Sequence, residues 1–217
     1  MAELEIKCLT VSSCYTNCYV CCNKDTKEGF IVDPGDDFVK ITNYINSMDM
    51  KVVAIILTHG HFDHIGAVDK LKERYDLTVY ASEAEKDTIT DTTKNLTSYF
   101  GEPFTVTPDV YLKDGQEIEI AGILMNMILT PGHTEGSCCY YLPNHGLLFS
   151  GDTLFQASRG RTDFPGGSDS QIINSIKTKL LVLPDETVVL PGWSGGFYNL
   201  KCFDLSLNSV RLYPGIN

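Results

Sequence analysis

Positive charge is scarce: 17 Lys and Arg stand against 28 Asp and Glu, a net charge of −11 over 217 residues. No basic run offsets that excess, so the chain lacks the electrostatic footprint of a DNA- or RNA-binding protein. Long apolar runs are missing too. The longest, Val52–Leu57, is far too short to span a bilayer. The first residues, Met1-Ala2-Glu3-Leu4-Glu5-Ile6-Lys7, are charged at once and have no apolar export core. These absences predict a cytoplasmic protein that binds neither nucleic acid nor membrane, and they carry no information on oligomeric state.

What is present is ordinary for a folded protein. A hydrophobic fraction of 43% with 21% charged residues argues against disorder or a fibrous repeat, and the length allows a sizeable core. Eight cysteines would suggest disulfides in a small secreted domain, but nothing here directs export. Cys21-Cys22 and Cys138-Cys139 lie in strand-like runs, where neighbouring side chains point to opposite faces, so buried free thiols are expected. The group Cys14, Cys18, Cys21 and Cys22 lacks the spacing of paired zinc ligands.

Strand signals open the chain at Leu4–Leu9, Asn17–Cys22 and Gly29–Val32, the last closed by the turn Asp33-Pro34-Gly35. The spacing of Phe38, Ile41, Tyr44 and Ile45 predicts a helix from Asp37 to about Met48. Val52–Leu57 reads as a strand buried on both faces, and His64–Tyr75 as a second helix. The polar stretch 82–108 reads as a helix-containing insertion or flap. Further strands are expected at Val110–Leu112, Glu117–Ile120, Leu124–Leu129, Ser137–Leu142 and Leu147–Ser150. A helix at about Asp169–Leu181 and a strand at Thr187–Leu190 complete the order. With no linker or repeat, this order predicts an α+β protein: two packed sheets with helices outside, as one domain over 1–217.

Three of only five histidines fall in Thr58-His59-Gly60-His61-Phe62-Asp63-His64, directly after the buried strand. Packing does not explain such clustering, because imidazoles compete poorly with aliphatic side chains for core positions. Imidazole and carboxylate on a loop after a rigid strand suit a borderline metal such as zinc. His59 and His61 can converge on one ion through extended backbone, while Asp63 and His64 turn toward a second position. Asp63 is alternatively the N-cap of the following helix. Two more strand ends supply matching groups, His133 in Thr130-Pro131-Gly132-His133-Thr134 and Asp152 in Ser150-Gly151-Asp152-Thr153. His145, in Pro143-Asn144-His145-Gly146, reads as a solvent-facing turn residue.

The set His59-Gly60-His61-Phe62-Asp63-His64, Pro131-Gly132-His133-Thr134 and Ser150-Gly151-Asp152-Thr153 resembles the metallo-β-lactamase superfamily. More narrowly, Gly160-Arg161-Thr162-Asp163-Phe164-Pro165-Gly166-Gly167 is similar to the short relatives of hydroxyacylglutathione hydrolase (glyoxalase II). The resemblance runs from about Leu4 to Gly192. It implies an αββα four-layer sandwich with one or two zinc ions in a cleft at the sheet edges, iron and manganese being alternatives. It also implies that His59, His61 and His133 hold a first metal, that Asp63 and His64 hold a second, and that Asp152 bridges them. The implied reaction is hydrolysis of a thioester such as an acylated glutathione by metal-bound hydroxide, with Asp63 orienting the nucleophile or acting as base.

Arg159 and Arg161 are candidates to meet an anionic small-molecule substrate, with pairing to Asp163 or the loop backbone as the alternative. The family closes its second site with a histidine in a Pro-Gly-His-Gly segment. Here the residues are Pro191-Gly192-Trp193-Ser194-Gly195, and an indole N–H donates but cannot ligate. The tail from Trp193 to Asn217 departs from the family, which implies a shifted reading frame near codon 193 or a variant with a weakened second site. The chain also ends before the helical region with which longer glyoxalase II-like enzymes help bind glutathione. Two rival readings remain: a persulfide dioxygenase with a single iron on two histidines and an aspartate, or a degenerate metal-binding protein without turnover. A β-lactamase is disfavoured by the missing export signal, and a phosphodiesterase by the acidic balance.

Overall fold

In a computed structural model, which describes residues 2–193 and 198–200, the chain builds two six-stranded sheets packed face to face. The first opens with β1 (Leu4–Val11), β2 (Thr16–Asn23) and β3 (Glu28–Val32), antiparallel in turn. Helix α1 (Phe38–Met48) carries the chain over to β4 (Lys51–Ile56), parallel to β3. Helices α2 (Phe62–Ile65) and α3 (Val68–Tyr75) lead to β5 (Thr78–Ser82), parallel to β4. A 3₁₀ turn over Glu83–Glu85, then α4 (Lys86–Thr90) and α5 (Thr97–Phe100), precede β6 (Val110–Leu112) at the sheet edge.

The second sheet comprises β7 (Glu117–Ile120), β8 (Ile123–Leu129), β9 (Cys138–Leu142) and β10 (Leu147–Gly151), again antiparallel. A small hairpin, β11 (Leu154–Phe155) with β12 (Ser158–Arg159), comes next. Helix α6 (Asp169–Ser175) runs on through a π turn over Ile176–Leu180. Strand β13 (Val188–Pro191) then pairs parallel with β10, and β14 (Tyr198–Asn199) pairs with β13.

Alternation of side chains explains the layering. In β2, Cys18, Val20 and Cys22 face Ile41 and Ile45 of α1 and Val68 and Leu71 of α3, whereas Tyr19 and Cys21 face the other sheet. Between the sheets, Tyr19, Phe30 and Phe149 pack with ring centroids 5.3 Å and 6.4 Å apart, and each such burial is worth about 1.5–3 kcal/mol. Outside the second sheet, Ile172, Ile176 and Leu180 cover Cys139, Leu148 and Val189. The result is an αββα four-layer sandwich, the architecture that the resemblance implies.

Cys21 and Cys22 lie on opposite faces of their sheet, as do Cys138 and Cys139. The seven described cysteines are free thiols, and the split faces prevent Cys14–Cys22 from converging on an ion. Two local expectations fail. Strand β5 lies where no strand was expected, because its Ala81 and Ser82 mute the β signal. The helix expected over His64–Tyr75 starts earlier and breaks at Gly66-Ala67. The stretch 82–108 is the helix-containing insertion of the two alternatives, holding α4 and α5, and it is packed, with Glu85, Ile89, Asn95, Thr97 and Val106 buried in it. Among the described residues no helix is long and apolar enough to cross a membrane. The tail predicted to be atypical, Trp193 to Asn217, falls largely outside the described residues.

Strand direction gathers the candidate ligands at one place. The C-terminal ends of β3, β4, β8, β10 and β13 meet at one edge of the sandwich, delivering Asp33, the His59–His64 loop, His133, Asp152 and Gly192. The N-terminal end of antiparallel β2 brings Thr16 to the same edge.

Candidate metal centre

Four of the five histidines converge at this edge, and all four are buried. His59, His61 and His133 each present a nitrogen within 4.8 Å of the others, and His59, His64 and Asp152 form a second such group of donors. His61 Nδ1 and His133 Nε2 approach to 2.9 Å. Asp152 stands between the groups, with Oδ1 3.6 Å from His64 Nε2 and Oδ2 3.7 Å from His133 Nε2.

Outer contacts set which ring nitrogens face inward. His133 donates its Nδ1–H to the carbonyl of Arg161 at 2.8 Å, which leaves Nε2 as a lone pair. His59 Nδ1 lies 3.2 Å from the Thr58 hydroxyl. Asp33 accepts from the Thr58 N–H at 2.8 Å and the Thr58 hydroxyl at 2.6 Å, and holds His64 Nδ1 at 3.0 Å. Such partners orient metal-binding imidazoles and fix their tautomers.

The electrostatics divide the cluster. Burial, reinforced by the neighbouring imidazoles, holds His59 and His61 well below the ordinary histidine value, in the neutral form that ligates. Burial opposes charge on His64 as well, but Asp63, Asp33 and Asp152 outweigh it and raise the group to about 10. Burial also pushes Asp152 upward. Within the protein, His59 Nε2, His64 Nε2 and Asp152 Oδ1 are buried without a hydrogen-bond partner. Leaving polar atoms so is costly, and a cation coordinated by them removes the cost. The donors therefore fit a metal ion of the imidazole–carboxylate kind.

Asp63 is brought alongside but belongs to neither group of donors. It is not the N-cap of α2, a position held by His61 without a side-chain bond. Its Oδ2 accepts from the Thr16 hydroxyl at 2.8 Å and lies 3.8 Å from His64 Nε2. Trp193 pairs with the same segment as Asp63, bridging to Thr16: Asn17 N–H donates to Gly192 O at 2.7 Å, and the indole N–H donates to the Cys14 carbonyl at 2.9 Å. A Cβ on Gly192 would lie 2.5 Å from Asp152 Oδ1 and 2.9 Å from His64 Cε1. The chain thus presses against the His64 side of the cluster, and Trp193 brings no lone pair to it.

The two arginines differ. Arg159 is buried, pairs with Asp169 and donates to the Gly160 carbonyl, a local role of the kind offered as the alternative to substrate contact. Arg161 is exposed, forms a two-pronged pair with Asp163 at 2.7 and 2.6 Å, and lies 4.0 Å over the Phe164 ring. Phe164 in turn meets His61 edge-on, with centroids 5.6 Å apart. His145 is half-buried against the Ala2 carbonyl at 3.0 Å, where a solvent-facing residue was expected.

Sequence reasoning missed Asp33, Thr16 and Glu85. Asp33 sits in Asp33-Pro34-Gly35, which reads as a turn and nothing more. The buried Glu85 carboxylate accepts from Gly60 N–H at 2.8 Å, Gly136 N–H at 2.9 Å and the Thr134 hydroxyl at 2.8 Å. Burial raises Glu85 to about 8, against the opposing pull of these donors.

Comparison with known proteins agrees with this geometry. The family described as "Metallo-beta-lactamase superfamily" matches residues 12–193. The "Probable metallo-hydrolase YqgX" of Bacillus subtilis is 42% identical over 164 residues, covering 75% of this chain and 78% of its own length. "Hydroxyacylglutathione hydrolase GloC" of Haemophilus influenzae is 31% identical, with 87% and 90% covered. Among solved structures, the BLEG-1 B3 metallo-beta-lactamase superposes with a TM-score of 0.86 at 36% identity, covering 91% of this chain and 95% of that one.

Proposed function

The chain belongs to the metallo-β-lactamase superfamily, and from that premise we propose that it hydrolyses thioesters, an acylated glutathione or a similar anionic conjugate. The broader class, a metal-dependent hydrolase, follows from the family and its hydrolase-named relatives. The observation that carries it is the convergence of buried imidazoles and Asp152 with their inward atoms unpartnered. We assign His59, His61 and His133 to a first ion, Asp63 and His64 to a second position, and Asp152 between them. Zinc suits these donors, and iron or manganese are alternatives on the same residues.

A divalent ion bound there supplies Lewis acidity and makes water acidic enough to ionise near neutral pH. The remaining work falls to the chain. The Thr16 hydroxyl fixes Asp63 through Oδ2, which leaves Oδ1 to orient the attacking water and take its proton when the second position holds no ion. Phe164 covers the outer edge of His61 and limits solvent there. Arg161, beside this roof, is the candidate contact for an anionic substrate, exchanging Asp163 for it. A groove of about 230 Å³ lies beside Phe62, with Ser12, Asp36, Phe100, Glu102 and Phe104 in its mixed polar and apolar lining. A thiolate leaves readily, so no strong general acid is needed.

The test is release of free thiol from S-lactoylglutathione by protein whose metal content has been measured. Wild type is expected to turn over, and His61→Ala to lose about 100-fold or more while remaining folded, because the metal and its Lewis acidity go with it. Activity retained in His61→Ala overturns the metal-centred hydrolase. One iron per chain, with oxygen consumed on a glutathione persulfide and no thioester cleavage, establishes the dioxygenase in its place. Metal uptake without turnover of either substrate establishes the non-catalytic reading.

A further inference from the structure

We infer that Glu85 is a positioning residue for the metal-binding imidazoles, clamping the loop that carries His59 and His61 to the loop that carries His133. The inference rests on the metal-centre reading of the proposed function. The two loops come from different sheets, the first after β4 and the second after β8. A backbone bond from Cys138 N to Thr58 O joins their bases at 2.9 Å. Nearer the imidazoles, Glu85 spans the seam with both oxygens. Its Oε1 takes the N–H of Gly60, the residue between His59 and His61. Its Oε2 takes the hydroxyl of Thr134, next to His133, and the N–H of Gly136.

Two further features point the same way. Thr134 is locked by Ser137, whose Oγ lies 2.6 Å from the Thr134 hydroxyl and accepts the Thr134 N–H at 3.0 Å. The Glu85 grip therefore passes directly into the His133 turn. Gly136 approaches so closely that a Cβ there would stand 2.1 Å from Glu85 N, so only glycine lets the loop close onto the carboxylate. Glu85 is 1% exposed, no ion pair joins it to a cation among the described residues, and the neighbouring Glu135 opposes its charge. Burying a carboxylate without a cation is a costly way to hold two loops together when apolar packing suffices for stability alone. What apolar packing cannot do is fix two backbone N–H groups and a hydroxyl in direction, and through them three imidazoles in relation to one another.

The experiment compares wild type with Glu85→Gln, which keeps shape and one acceptor but turns a donor toward donors. Apparent zinc affinity is read by competition with a chromophoric chelator, at a temperature where circular dichroism shows both metal-stripped proteins folded. The expected result is about 10- to 100-fold weaker binding in Glu85→Gln, the range for outer partners of metal ligands. Asn23→Ala serves as the structural control. It removes a buried side chain bonded to Ala121 O at the far end of β2, and should lower the melting temperature without changing zinc affinity. Glu85→Gln with a lowered melting temperature but affinity within about twofold of wild type overturns the inference, an effect below that of one net hydrogen bond. Should Glu85→Gln fail to fold, Thr134→Val deletes one donor to the carboxylate and is expected to weaken zinc about 2- to 10-fold. Unchanged affinity there overturns the inference equally. Wild type that takes up no zinc refutes the metal-centre reading itself, and this inference with it.

Discussion

Replacing Asp33 by Asn should impair the metal position served by His64 and spare the one served by His61 and His133. In the wild type, Asp33 accepts from the Thr58 N–H and hydroxyl and forms an ion pair with the His64 ring, its Oδ2 3.0 Å from Nδ1. An Asn placed to keep the Thr58 N–H bond turns its NH₂ toward both the Thr58 hydroxyl and His64 Nδ1. Two donors then face each other, and relief comes when His64 gives up its Nδ1 proton and keeps the one on Nε2, the nitrogen that faces Asp152. That tautomer cannot ligate. The lost charge-assisted bond is worth about 1.5–3 kcal/mol, which at about 1.4 kcal/mol per tenfold corresponds to roughly 10- to 100-fold in affinity. Calorimetric titration of zinc into metal-stripped protein reads it directly: the weaker event should shift by that factor, and the tighter one by only a few-fold through Thr58 and His59. Asp33→Asn with both events unchanged would refute the dependence of the His64 tautomer on Asp33.

The metal-free protein should lose stability as pH rises from about 6.5 to about 10. His64 is raised in the folded chain, so over that window the folded state keeps a proton that the unfolded state has released, and the stabilisation present below pH 6.5 is lost. Differential melting of stripped and zinc-loaded protein across pH 6–10 checks the sign, and a stripped protein that gains stability over this range contradicts it. Trp193→His should raise the metal-to-protein ratio, because it adds a lone pair where the chain presses against His64 and Asp152. Metal analysis after dialysis against buffer containing a fixed low zinc concentration reads it, and an unchanged ratio means that residue 193 does not reach the ions.

Much of the architecture was legible because its signals are local. Val52–Leu57 is a continuous apolar run, α1 shows helical spacing, and the histidines follow strand ends too closely to be core residues. The same logic pointed to His133 and Asp152, and the structure brings both against the first cluster. What stayed hidden depends on tertiary contact. Asp33 looks like turn chemistry until β3 and β4 pair in parallel and set it under Thr58. Glu85 sits in a polar stretch with no periodicity, and its role exists only once two loops from different sheets close over it. Arg159 reads equally as a substrate contact or a local pair, and only the packing of α6 supplies its partner, Asp169.

The donors are drawn from both sheets: His59, His61 and His64 follow β4, while His133 and Asp152 follow β8 and β10. An ion held by all of them is therefore a staple between the two halves of the chain as well as a reagent. In folding terms, it links segments more than 70 positions apart, contacts of the kind that form late and lose chain entropy without early reward. Free energy of metal binding then appears as free energy of sheet-to-sheet docking. The same protein stripped by a chelator keeps the Cys138–Thr58 and Asn17–Gly192 backbone bonds and the Glu85 clasp at that rim but loses the ion that would span it, so limited proteolysis of stripped and loaded protein would read the staple apart from the chemistry.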